Sequence, residues 1–215
     1  MGSSVLLDII GSFLVFGLLL LTALRMDTNA VEDNFSYNTA VNLQLQLVSL
    51  TAQIEDDFRQ VGYDTTETQI QPSTTAIRYG TAHDFRFTAD MNNDGTVDSV
   101  EYLLGPSRGL RNPNICTLVR NYWDGKNSAN NRVDSIRAYI TQLDFTYYLA
   151  DKLTLVDPPV GPGTGVGMIC LSLTLQSPDK VTSSTGPTIY SESDTALYSV
   201  YWKQFQIVSK NMTWR

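Results

Sequence analysis

The chain has a single histidine and two cysteines among 215 residues, and its first proline is Pro72. One histidine excludes a multi-histidine metal site and leaves no Ser/His/Asp or Cys/His set on which to build nucleophilic catalysis. The chain is therefore read as a non-enzyme. It has no run of Lys or Arg: 15 basic residues stand against 22 acidic ones, for a net charge of −7. Binding to nucleic acid, which draws on basic patches, has nothing to rest on. The acidity is uneven, with −5 in residues 1–61 and −2 in the remainder.

With proline and charge both scarce, the N-terminal third reads as one long helix of two kinds. From Ile9 to Leu24 there is no charge at all. With Asp8 included, the apolar stretch runs back to Ser3, about the 20 residues that cross a ~30 Å hydrocarbon core. No basic residue precedes it and no small-residue cleavage site follows it, so the segment is read as retained rather than as a removed signal. Beyond it, Ala40, Leu43, Leu47, Leu50, Ile54, Phe58 and Val61 recur in steps of three and four, the spacing of one helix face. Asp27-Thr28-Asn29 are poor helix formers and predict a loosening there. Gly62 is placed to end the helix, and Glu55-Asp56-Asp57 reads as a solvated acidic face.

From Asp64 to Thr75 the chain is polar loop. After it the period shortens to two. Asp84–Thr88 and Ser99–Leu103 alternate around a turn and predict a hairpin, with further strands at 116–122, 136–149, 167–176 and 196–209. Breaks at 105–107, 127–131, 157–165 and 183–187 separate them, and Gly161–Gly167 is read as loop rather than a phosphate cradle. The expected fold is α+β: a long N-terminal helix over residues 1–62, packed on a mainly antiparallel β head over 63–215.

Three sets of residues carry possible chemistry. Asp90, Asn92, Asp94, Gly95, Asp98 and Glu101 match the twelve-residue calcium loop D-x-[DN]-x-[DN]-G-x5-E. Several oxygens at ~2.4 Å suit a hard cation. The flanks alternate like strands instead of forming helices, so the same string is also a hairpin loop using Asn, Asp and Gly for turn geometry. Cys116 and Cys170 are either a disulfide of a head outside the cytoplasm or two small buried hydrophobes. Asp8, a carboxylate costing roughly 2.5–3.5 kcal/mol inside a membrane helix, lies either at the bilayer interface or against the amino terminus of a neighbouring copy. Gly11, Ser12 and Gly17 allow close approach of one rod to another. Asn34-Phe35-Ser36 and Asn211-Met212-Thr213 are glycosylation sequons of little weight.

The layout resembles the type IV pilin and type II secretion pseudopilin superfamily. Two stretches resemble its larger, minor-pilin-like members: Asp57-Phe58-Arg59-Gln60-Val61-Gly62-Tyr63 at the helix end, and Phe87 to Tyr102 around the Asp/Asn/Gly loop. Precursors in that superfamily carry a basic leader ending in Gly and a Glu fifth in the mature chain. Here Gly2 precedes Ser3, and Asp8 is the nearby acid. The resemblance implies an extracellular helical filament of bundled N-terminal rods with β heads outside. Its subunits are held in the inner membrane and assembled by dedicated machinery with copies of themselves and related pilin-like subunits. The competing expectation is a single-pass membrane-anchored binding or adhesion domain.

Overall fold

The computed structural model describes residues 2–66, 76–180, 188–191 and 194–208. Most of the expected 64–75 loop, the 183–187 break, Ser209 and the Asn211 sequon lie outside them.

Helix α1 runs from Gly2 to Arg59, 58 residues without interruption, or roughly 87 Å at ~1.5 Å per residue. The expected loosening at Asp27-Thr28-Asn29 does not occur. The Thr28 hydroxyl donates to the Leu24 carbonyl at 2.9 Å and Asn34 Nδ2 to Ala30 at 2.8 Å, so the polar groups bond inside the helix instead of competing with it. Ser12 and Thr22 do the same, each at 2.8 Å. At the far end Gly62 takes φ of +75°, a conformation costly for any residue with a Cβ.

The head is one antiparallel sheet of nine strands: β1 (Ile77–Gly80), β2 (Asp84–Ala89), β3 (Asp98–Ser107), β4 (Cys116–Trp123), β5 (Arg132–Leu149), β6 (Leu155–Val156), β7 (Val166–Gln176), β8 (Thr188–Ser191) and β9 (Asp194–Ile207). The spatial order is β1-β2-β3-β4-β5-β7-β9-β8, with β6 paired to β5. The expected hairpin is β2–β3, in register with Phe85 opposite Tyr102 and Phe87 opposite Val100. The strand expected from Gly167 to Gln176 is β7, which begins one residue earlier at Val166. The sheet curls on itself: Phe145 of β5 donates its backbone N–H to Ala82 beside β1 at 2.7 Å, and Gly80 of β1 bridges Val160. Curling turns the inner faces of distant strands toward a single helix.

The second half of α1 fills that concavity, lying over β5, β7 and β9. Leu43, Leu47, Leu50, Ile54, Phe58 and Val61 are buried as their spacing predicts, with Ala40 half-buried. Phe58 is the centre of an aromatic cluster, its ring 5.1 Å from Phe85, 5.5 Å from Phe87, 5.6 Å from Tyr102 and 6.1 Å from Phe145. The helix is exposed from Asp8 to Phe35, apart from the half-buried Gly17. It is long and apolar enough to cross a membrane, by length and composition, and none of its most apolar window is buried.

The disulfide expectation is overturned. Both thiols are free. Cys116 on β4 pairs with Ile140 and Cys170 on β7 with Thr146, so β5 stands between them and they are six residues out of step along it. Six residues of strand amount to about 20 Å, far beyond the Cα separation of under about 7 Å that a disulfide needs. Cys170 is buried and accepts from Gln204 Nε2 at 3.0 Å, the small-hydrophobe alternative.

Candidate functional site

Two regions hold residues singled out by sequence, and a third emerges only in the structure. On the free half of α1, Asp8, Gly11 and Ser12 share one side of the helix, because steps of three and four return to the same face at 100° per residue. Gly17, nine residues from Asp8, falls on the opposite side. A Cβ added at Gly11 or Gly17 meets nothing within 4 Å. Both are open to a neighbouring helix, on different faces, so they do not form one patch.

The second region is the β2–β3 loop at the end of the head away from the apolar rod. Helix and loop are stitched together there: Gly62 N–H donates to Thr88 at 2.9 Å and Asp90 N–H to Tyr63 at 2.8 Å. Asp90 accepts from the backbone N–H of Asp94 and of Gly95, each at 3.1 Å, and from the Thr65 hydroxyl. Asn92 Oδ1 also accepts from Asp94 N–H, at 3.0 Å. Asp94 accepts from Thr96 N–H at 2.9 Å and from the Thr96 hydroxyl. Asp98, fully buried, accepts from Met91 N–H at 3.1 Å, Gly125 N–H at 2.9 Å and the Tyr122 hydroxyl at 2.9 Å.

Glu101 is not brought to this group. It lies on the outer face of β3, opposite Arg86 and Asn121, and accepts from Asn121 Nδ2 at 2.7 Å. Strand alternation puts it on the other side of the sheet from Asp98. Among the described residues no group of three or more His, Cys, Asp or Glu side chains is gathered for a metal ion. The four remaining residues instead cap the backbone of their own loop.

The neighbouring β4–β5 loop is built alike. Asp124 accepts from Lys126 and Asn127 N–H, each at 2.8 Å, and from Asn130 Nδ2 at 2.7 Å. Gly125 between them admits no side chain, since a Cβ would collide with the Val97 carbonyl.

These bonds set the acid response of the tip. Asp94 is held below the usual carboxylate range, chiefly by the Thr96 hydroxyl. Asp124 is lowered chiefly by the Asn130 carboxamide, then by the N–H groups of Asn127 and Lys126. A carboxyl depressed in the fold contributes stability above its unfolded value near 3.9 and loses it as pH falls through the folded value. Hydrogen-exchange protection, taken relative to the unstructured rate at each pH, is therefore expected to fall at residues 91–97 and 125–131 as pH drops from about 5 to about 2, before the core strands respond. Simultaneous loss of protection in loops and core would show that these bonds do not set the loop stability.

The third region was not legible in the sequence. Asp57, read there as part of a solvated acidic face, is buried against the sheet. Its Oδ2 accepts from the Tyr102 hydroxyl at 2.6 Å and from Arg120 Nε at 2.7 Å. Arg120 also meets Asp134 at 3.5 Å. Burial opposes the Arg120 charge, but the hydrogen bond and attraction to Asp57 outweigh it and push the guanidinium pKa up. The Tyr102 hydroxyl is raised well above its usual value by burial, then by the Asp57 charge. The three side chains form a clip between helix and sheet. Glu55, by contrast, stays at the surface and reaches Arg59 at 3.9 Å.

No family model, curated protein or solved structure matches the chain.

Proposed function

We propose that this chain is a structural subunit of an extracellular, pilus-like helical filament, polymerising through its N-terminal helices. One observation carries the reading: apolar surface continues along α1 from the free rod onto the outward side of the docked half. Eleven large apolar side chains from Ile9 to Leu24 are exposed by half or more. At ~1.5–3 kcal/mol each, covering them is worth on the order of 20 kcal/mol. A bilayer suffices for that part. Further along, Leu45, Val48 and Ala52 follow steps of three and four on the side turned from the head, with Leu45 and Val48 each 62 % exposed.

Leu45 lies 21 residues past Leu24, roughly 32 Å along the helix. That is as far again as a hydrocarbon core is thick. A membrane that covers the rod does not reach this stripe, whereas the helix of another copy does. A plain membrane-anchored binding domain needs no such stripe. In the proposed cycle the inner membrane holds the subunit before assembly machinery extracts it. Asp8 would then lie near the amino terminus of a neighbour.

The test is electron microscopy of material sheared from producing cells, with N-terminal mass spectrometry of the dominant band. Thin filaments of this chain are expected. Leu45→Glu with Val48→Glu should remove them while the protein stays in membranes with the same protease-resistant head. Wild-type protein that remains a membrane monomer, or a double variant that still polymerises, overturns the reading.

A further inference from the structure

A polar cavity of about 440 Å³ opens at the end of the head away from the apolar rod, lined by Asn92, Tyr122, Asp124, Ala129, Asn130 and Arg132. We infer that it binds an acidic saccharide, a sugar ring carrying one carboxylate. The volume lies in the range of small-ligand sites, ~300–1,000 Å³. The polar groups left unengaged in it define the chemistry.

Tyr122 and Arg132 are directly opposite on β4 and β5, so both side chains leave the same face of the sheet. Two guanidinium groups approach the Tyr122 ring, Arg132 at 5.6 Å and Arg120 at 6.0 Å from its centroid. They differ in what they donate to. Arg120 is engaged by Asp57 and Asp134. Arg132, exposed at the start of β5, lies within cation–π range of the Tyr122 ring and has no carboxylate partner among the described residues. A planar guanidinium with its donors open suits one carboxylate bound through two parallel bonds.

The other lining groups choose between anions. Asp124 keeps its charge and directs both oxygens to its own loop. Lys126, the nearby cation, is 3.7 Å from Asp94. Arg132 and Asp124 thus leave the lining without net charge. A phosphate of −1.5 to −2 meets repulsion that a single carboxylate largely avoids. Among the described residues Asn92 Nδ2 has no acceptor and Asn130 Oδ1 has no donor, the other amide atom of each being used in the loops. One free donor and one free acceptor on carboxamides match neighbouring hydroxyls, each of which both donates and accepts. A rim of loops tied down by backbone capping holds these groups in place before the ligand arrives, which lowers the entropy cost of binding.

The inference does not depend on polymerisation, and failure of the filament test leaves it standing. It is tested on the full chain in a detergent without a sugar headgroup. The probes are a glucuronosyl disaccharide, a neutral glucosyl disaccharide and inorganic phosphate, followed by calorimetry and saturation-transfer NMR. The acidic disaccharide is expected to bind at least tenfold more tightly than the neutral one, with no binding of phosphate. Arg132→Gln should weaken the acidic probe at least tenfold and leave the neutral one unchanged. Ala129→Tyr, which fills the cavity without altering charge, should remove both and preserves a reading if Arg132→Gln misfolds. Equal affinity for acidic and neutral sugars, tighter binding of phosphate, no binding of the acidic probe, or unchanged binding by Ala129→Tyr each overturns the inference.

Discussion

Phe58→Ala is expected to cost roughly 3–5 kcal/mol, the range for removing a fully buried aromatic side chain. Phe58 has no exposed surface, and its ring contacts join the helix to β2, β3 and β5 together. The void would open where four aromatic rings meet, and rigid rings close a gap less readily than aliphatic chains do. Against a total stability of about 5–15 kcal/mol, the loss is large enough to loosen the helix from the sheet. At about 2–4 °C per kcal/mol for a chain of this size, the melting temperature of the full chain in detergent should fall by about 6–20 °C. Phe58→Leu, which keeps most of the volume, should lose less than half as much. A loss below about 1 kcal/mol for Phe58→Ala would show that the cluster closes without the helix.

The second large effect is electrostatic. Asp57→Ala is expected to destabilise the head by about 3–5 kcal/mol, the range for breaking one partner out of a buried ion pair. The substitution strands the Arg120 guanidinium, whose side chain is 15 % exposed, with only the half-exposed Asp134 at 3.5 Å. It also leaves the buried Tyr102 hydroxyl without its acceptor, adding to the penalty. The decisive comparison is the double variant Asp57→Ala with Arg120→Met. Removing both charges should recover at least half of the loss, since a well-filled apolar pair is often as stable as a buried ionic one. A double-mutant cycle from urea melts measures this coupling. Additive losses in the cycle would mean that the two residues act independently.

Much of the architecture was legible because its signals are local. An uncharged run from Ile9 to Leu24 without proline makes helix whatever surrounds it. The three-four spacing from Leu43 to Val61 marks a face that must be covered. Alternation in Asp84–Thr88 and Ser99–Leu103 on either side of an Asn/Asp/Gly-rich loop marks the hairpin, though not its register. β1, β6 and β8 escaped because they are two to four residues long, too short to show a period.

The misreadings concern what meets what across the sheet. Cys116 and Cys170 look like a pair on a line of sequence, yet the order β4-β5-β7 puts a strand between them. Glu101 completes a loop pattern in sequence, while the pleat turns it to the face opposite Asp98. Asp57 has the composition of solvated surface, and only the curl of the sheet brings Tyr102 and Arg120 to it. Arg132 carries no motif at all; pairing with Tyr122 at the uncovered end of the concave face makes it noticeable. Propensity and periodicity act over a few residues, so the sequence by itself determined which segments are helix or strand and which helix faces are apolar. Long-range strand order, register and curvature decide which side chains become neighbours. Those properties belong to the assembled sheet, and they alone placed the clip and the cavity.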